Sequence, residues 1–258
     1  MLKTLLLSLI ALLPLAAGAH DRVTGRMAEV QVYDRSDGRY LPMYKHRGRH
    51  YVAGEPGHEY EIRVSSRRDG RLLAVTSVDG VNVLSGQTAS TGQGGYVLSP
   101  WSELRIDGWR KSMDEVASFY FTALPDSYAA RTGRPDDVGV IGVALFGERR
   151  HWSEPWHYRD NASADRAEGA GAAAPQAKSR APAPAAEAES RLGTGHGQRQ
   201  WSGAEYTEFE RASERPDEVI SIWYDSRRNL VAQGVIPRKA PRWSPRPDPF
   251  PAGFVPDP

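Results

Sequence analysis

Few residues in this chain have a claim on chemistry. His20 follows Ala17-Gly18-Ala19 and precedes Asp21-Arg22, so cleavage after Ala19 would leave a histidine at the new amino terminus. Such a residue can ligate Cu(II) through its amino nitrogen and its ring together, and a second histidine would complete a T-shaped set. His151 and His157 flank Trp-Ser-Glu-Pro-Trp, where Pro155 can turn the chain and make them converge. His46 and His50 would stand about 13 Å apart on an extended strand that advances ~3.3 Å per residue. That is too far for one metal with nitrogen ligands at ~2 Å, unless Gly48 folds the segment over. His58 sits at a strand start. None of these spacings is that of a dedicated metal site, and an incidental terminal histidine is favoured over copper.

A second cluster is Gly108-Trp109-Arg110-Lys111. An amphipathic aromatic beside two cations at a strand end suits stacking on a sugar ring or anchoring a protein partner. The competing reading makes Trp109 a core plug, because large aromatics in sandwiches are usually buried. Catalytic signatures are missing. The chain has no cysteine and therefore no thiol nucleophile. It carries no Gly-x-Ser-x-Gly, Ser-x-x-Lys or His-Glu-x-x-His, and the glycines at 92–95 precede no helix that could aim amides at a phosphate. Convergent carboxylates from separate strands stay open. The expectation is a protein that is not an enzyme and has no cofactor, with copper as the alternative.

Composition narrows the partners. Lys plus Arg is 33 and Asp plus Glu is 32, with no basic stripe of the kind that grips nucleic acid. The basic pairs Arg67-Arg68, Arg149-Arg150 and Arg227-Arg228 are scattered at expected turns and strand ends. Residues 1–19 read as a secretory signal peptide: Lys3, a short apolar run from Leu5 to Leu15, then a small-x-small tripeptide. The run is too short for a ~20-residue membrane span, so a periplasmic or secreted protein without a transmembrane span is expected. Disulfides and cysteine-linked lipid are excluded, which leaves an ordinary buried core as the source of stability.

The elements that must position these residues are short strands over 27–152. Glu59-Tyr-Glu-Ile-Arg-Val64 alternates, with Tyr60, Ile62 and Val64 inward. Arg71 to Val78 is a strand ending in Asp79-Gly80, a dipeptide suited to a tight hairpin into Val81-Asn-Val-Leu84. Val138 to Phe146 is apolar at both parities, as in a central strand covered on both faces, with Gly139 and Gly142 leaving room for a bulky neighbour. Asp126 to Arg131 can make one helical turn, ended by Gly133 and Pro135. The pattern predicts an all-β antiparallel sandwich, jelly-roll or immunoglobulin-like.

Residues 153–200 are rich in alanine, proline and glycine without apolar periodicity, and are expected to be disordered. Strands return over 201–237: one at Tyr206 to Arg211, then a hairpin of Val219–Tyr224 and Leu230–Ile236. A fragment this small cannot bury enough surface alone and is expected to pack on the first sandwich. Residues 238–258 form a proline-rich tail expected to be disordered and extended.

Ser77-Val-Asp-Gly-Val-Asn-Val83, Gly95-Tyr-Val97, Gly108-Trp-Arg110 and Gly139-Val-Ile-Gly142 together resemble exported proteobacterial β-sandwich proteins of unknown function. The resemblance implies export and brings no activity, cofactor or site residue. At His20 alone, the chain also resembles copper-dependent polysaccharide oxygenases and periplasmic copper carriers, which are β-sandwiches. The reading that follows is a non-enzymatic exported protein that binds an envelope protein or glycan. Copper binding at His20 and a carbohydrate-binding module are its alternatives.

Overall fold

The computed structural model describes residues 21–149 and 191–238. The signal segment, His20, His151, His157, most of the alanine-rich stretch and nearly all of the proline-rich tail lie outside the described residues. Within them the protein is an all-β sandwich of two sheets.

One sheet, B, runs β1 (Val23–Thr24), β2 (Ala28–Asp34), β6 (Glu59–Ser66), β12 (Glu115–Ala123) and β11 (Gly108–Arg110). To it are added β3 (Arg39–Tyr40), β10 (Glu103–Ile106) and β14 (Leu192–Trp201). The other, A, runs β4 (Met43–His46), β5 (Arg49–Gly54), β15 (Glu218–Ser226), β13 (Val140–Gly147), β7 (Leu72–Val78) and β8 (Val81–Asn82), with β9 (Tyr96–Leu98) on β7. All pairings are antiparallel except β5 with β15.

The alternation read from the sequence produces this architecture. Tyr60, Ile62 and Val64 are fully buried, facing Ile141, Val143, Ile222 and Tyr224 from the opposite sheet in one core. β13 is central in sheet A, between β15 and β7. Ile141, Val143 and Leu145 enter the main core, while Ala144 and Phe146 join Leu73 and Val75 in a second cluster on the outer face. That strand is therefore apolar at both parities because both its faces are covered. Asp79 and Gly80 have φ of 53° and 70°, and Val78 faces Val81 across the turn. Both central residues of such a two-residue hairpin need positive φ. Arg47 and Gly48, at 47° and 77°, make the same turn between β4 and β5.

Other expectations are corrected. Leu192–Trp201 is a strand paired with β12 and not the end of a disordered loop. Its glycines are spacers: a Cβ at Gly195 would lie 2.1 Å from the Tyr120 ring, and one at Gly197 would lie 2.2 Å from Ser118 Oγ. Composition alone reads such residues as breakers. Arg227–Ala232 is a helix, α2, where the second strand of a hairpin was expected. The Ser226 hydroxyl accepts the Asn229 N–H as an N-cap, and Asp225 accepts from the Asn229 side chain. Leu230, Val235 and Ile236 then pack on Tyr44, Tyr51 and Ala53. The stretch from Tyr206 to Arg211 is not a strand. It crosses the outer face of sheet A, with an isolated bridge between Arg211 and Glu148 and Phe209 packed on the sheet. The expected helical turn is present as α1 (Tyr128–Arg131), capped by Ser127. Gly142 faces the Ser77 hydroxyl and Gly139 the backbone oxygen of Tyr224, so neither makes room for an aromatic ring.

Candidate functional site

The outer face of sheet A is covered unevenly. Over β7 and β13, Phe209 packs on the Leu73, Val75, Ala144 and Phe146 cluster, and the Arg211 guanidinium lies 4.2 Å from the Phe146 ring centre. Over β4 and β5, Leu230, Val235 and Ile236 from α2 and the residues after it pack on Tyr44, Tyr51 and Ala53. There a groove stays open.

Sheet register builds it. Tyr51 faces Tyr44 on β4 and Trp223 on β15, so three aromatic residues occupy one row across neighbouring strands. In β15 the residues of even number, Ile220, Ile222 and Tyr224, are buried in the core, which turns Trp223 outward. The Tyr51 and Trp223 rings are 6.1 Å apart and inclined at 40°. Arg49 stacks its guanidinium 5.0 Å from the Trp223 ring centre. The cation and the ring quadrupole hold each other in place.

A cavity of about 220 Å³ opens beside this stack, where the start of β13, the start of β14, the end of β15 and α2 converge. Arg49, Tyr51, Trp223, Arg191, Asp225 and Gln233 are among its walls. It shares Arg49, Tyr51 and Gln233 with a cavity of about 530 Å³ that extends to His46, Arg47 and Val235. Across Trp223 a third, of about 360 Å³, reaches His50 and Glu218. Burial, with Lys45 nearby, pushes the His50 ring below its usual pKa.

The electrostatics distinguish this surface. Elsewhere some arginines find carboxylates, as Arg63 with Glu61, Arg71 with Glu148, Arg35 with Glu59 and Arg39 with Asp37, and others, such as Arg110 and Arg211, donate to backbone carbonyls. Among the described residues no carboxylate lies within ion-pair distance of Lys45, Arg47 or Arg49. The acid in the groove wall, Asp225, is engaged by the Leu192 and Ser226 backbone N–H groups, the Asn229 amide and the Gln233 amide. The groove is therefore cationic in a chain of near-zero net charge.

Beneath it lies a sealed polar network. Asp79 is fully buried; its Oδ1 accepts the Gly139 N–H at 2.9 Å and the Tyr224 hydroxyl, and its Oδ2 accepts the Thr194 N–H at 2.8 Å. Thr194 Oγ1 is 2.6 Å from the Tyr224 hydroxyl and 2.7 Å from that of Tyr60. With Asp79 ionised one donor direction satisfies all of these: Tyr60 to Thr194, Thr194 to Tyr224, Tyr224 to the carboxylate. Burial pushes the Asp79 carboxyl up to about 6, against the pull of these donors. Tyr224 and Gly139 belong to both the network and the cavity of about 220 Å³, so the network adjoins the groove.

The residues singled out from the sequence fall elsewhere. Trp109 is only 2% exposed, edge-on to Phe119 and against Tyr128, and it is a core residue and not a contact surface. Its indole N–H has no hydrogen-bond partner among the described residues. Arg110 donates to the Tyr96 hydroxyl and to the Ser202 carbonyl, which holds the segment after β14. Lys111 is exposed at the turn after β11. His46 and His50 flank the β4–β5 turn, yet His46 faces Arg49 and His50 faces Lys45, so they are not paired. His58 Nδ1 lies 2.9 Å from Asp34 Oδ2 and 3.9 Å from Asp37 Oδ1. These ligand atoms all fall within 4.8 Å of one another, near enough to converge on a metal. However, Asp34 also accepts the Asp37 N–H, and its bond to His58 raises the imidazole pKa, as in a simple ion pair.

Sequence reasoning placed Trp223 in the strand Val219–Tyr224 and singled out neither Arg49 nor Tyr51. Parity alone turns Trp223 outward. What it meets there depends on the parallel pairing of β5 with β15. No family model, curated protein or solved structure matches the chain.

Proposed function

We propose that the protein is an exported, non-enzymatic binding module that attaches to another component of the cell envelope through the groove on sheet A. The observation that carries this reading is Arg49: a guanidinium stacked on Trp223 beside Tyr51, with no carboxylate paired to it among the described residues. Arg211, stacked in the same way on Phe146, donates to the Thr91 and Gln93 carbonyls, whereas no hydrogen bond ties Arg49 among the described residues. A recognition surface leaves it for a partner, and Arg and Trp are the residue types that carry most binding energy at interfaces. The leader-like residues 1–19 support export.

Co-sedimentation of the mature full chain with isolated envelopes tests the reading. Wild type is expected in the pellet, and Trp223→Ala and Arg49→Glu are each expected to lower pelleting at least tenfold, about 1.4 kcal/mol. Equal pelleting of wild type and both variants overturns it.

A further inference from the structure

We propose that the groove takes an anionic saccharide, with a sugar ring on Tyr51 beside the Arg49-covered Trp223 and its carboxylate or phosphate on Arg49 and Arg47. The inference rests on the groove being the binding surface described above and names its ligand class.

The parts of the site argue for it separately. An aromatic ring offers an apolar face with a polar edge, which matches the C–H face of a pyranose bounded by hydroxyls. Tyr51 and Trp223 set two rings, inclined at 40°, along one sheet row, with the Arg49 guanidinium over the Trp223 ring. Arg49 is oriented by stacking on Trp223, and no hydrogen bond or ion pair ties it among the described residues. A guanidinium so placed keeps its fork of donors for a carboxylate or phosphate, which it can bind in bidentate fashion. Arg47 is exposed at the β4–β5 turn, in the wall of the larger cavity. Gln233 and Asp225, already bonded to each other, place an amide and a carboxylate at the same rim, as hydrogen-bond partners for ring hydroxyls. The larger cavity, lined by Arg47, Arg49 and Tyr51 and adjoining the one that Trp223 lines, is about 530 Å³, within the ~300–1,000 Å³ that small-molecule sites occupy.

Competing ligands fit less well. An acidic peptide added as a strand would extend the sheet at its edge, β4, beside the Tyr51 and Trp223 row and not on it, because β5 is paired on both sides, with β4 and with β15. Single-stranded nucleic acid also uses aromatics and cations, but along a charged track several nucleotides long. The chain is near neutral overall and has no such track.

Isothermal titration of the full chain with oligogalacturonate and with mannose 6-phosphate separates the carboxylate and phosphate forms. A neutral galacto-oligosaccharide, polyglutamate and an oligothymidylate serve as comparison probes. At least one anionic sugar is expected to bind at least tenfold more tightly than the neutral one. Arg49→Gln and Arg47→Gln are expected to abolish that preference, and Trp223→Ala to weaken both sugars. Thermal unfolding of each variant checks its fold, and Arg47→Gln, at an exposed turn, keeps the test valid should Trp223→Ala unfold. The proposal is overturned if neither anionic sugar binds, if the neutral sugar binds equally well, or if polyglutamate or the oligonucleotide binds more tightly. Envelope pelleting that still depends on Trp223 while both anionic sugars fail would overturn the saccharide assignment and leave the groove as the attachment surface.

Discussion

The two halves of the outer face of sheet A lie on neighbouring strands of one sheet and treat their side chains in opposite ways. Over β7 and β13, Phe209 and Arg211 cover Leu73, Val75 and Phe146, and Arg71 is tied to Glu148. Over β5 and β15 the aromatics are half-exposed, and Arg49 has a ring beneath it with no carboxylate beside it among the described residues. In the first half, charge and aromatic surface are used up within the molecule. In the second they remain available, and that difference locates a binding surface when no sequence motif does. The lesson is that the pairing state of an arginine says more about its role than its presence in the sequence.

The comparison makes opposite predictions for stability in the two halves. The largest effect belongs to the covered half. Phe146→Ala removes a fully buried ring and is expected to lower unfolding free energy by about 3–5 kcal/mol in urea titrations. A loss below about 1 kcal/mol would mean that Phe209 and its segment do not seal that face.

Asp79, beneath the groove, comes next. Its folded pKa of about 6 lies above its ordinary 3.8, so the native state holds the proton more tightly than the unfolded chain. Its contribution to stability is thus fully present below pH 4, is lost as pH rises from about 4 to 6, and is level above that. About two pH units correspond to roughly 3 kcal/mol. Stability measured across pH 4–7 for wild type and Asp79→Asn is expected to show this fall in wild type only. Equal slopes would show that Asp79 does not titrate in that range.

The smallest effect belongs to the open half. Arg49→Gln is expected to change unfolding free energy by no more than about 0.5 kcal/mol, since the side chain is at the surface away from buried contacts. A loss of several kcal/mol would make Arg49 a structural residue and erase the contrast between the halves.

How much of this could be read beforehand depended on the range of the interactions involved. The β6 alternation, the two-sided apolar character of β13 and the Asp79-Gly80 turn are local consequences of side-chain parity and positive φ, and all three were legible. β14 and α2 were not. The glycines of β14 look like breakers until Tyr120 and Ser118 are seen to occupy the space they leave. Leu230 and Val231 look like strand residues until the Ser226 cap and the apolar patch of Tyr44 and Tyr51 are in place. At the site, Trp109 was the conspicuous tryptophan in the sequence and proved to be core. Trp223 was signalled only by its odd position in an alternating run.

The amino-acid sequence alone determined that this chain makes twisted, alternating strands around tight turns, because those choices depend on neighbours a few residues away. Only the tertiary structure decided which outer surface is covered, that Asp79 is a buried keystone as well as a turn residue, and that Arg49 lies on Trp223 without a counter-charge among the described residues. Those outcomes require strands far apart in the chain to lie side by side. Burial and charge pairing are properties of that assembled surface, and no segment carries them by itself.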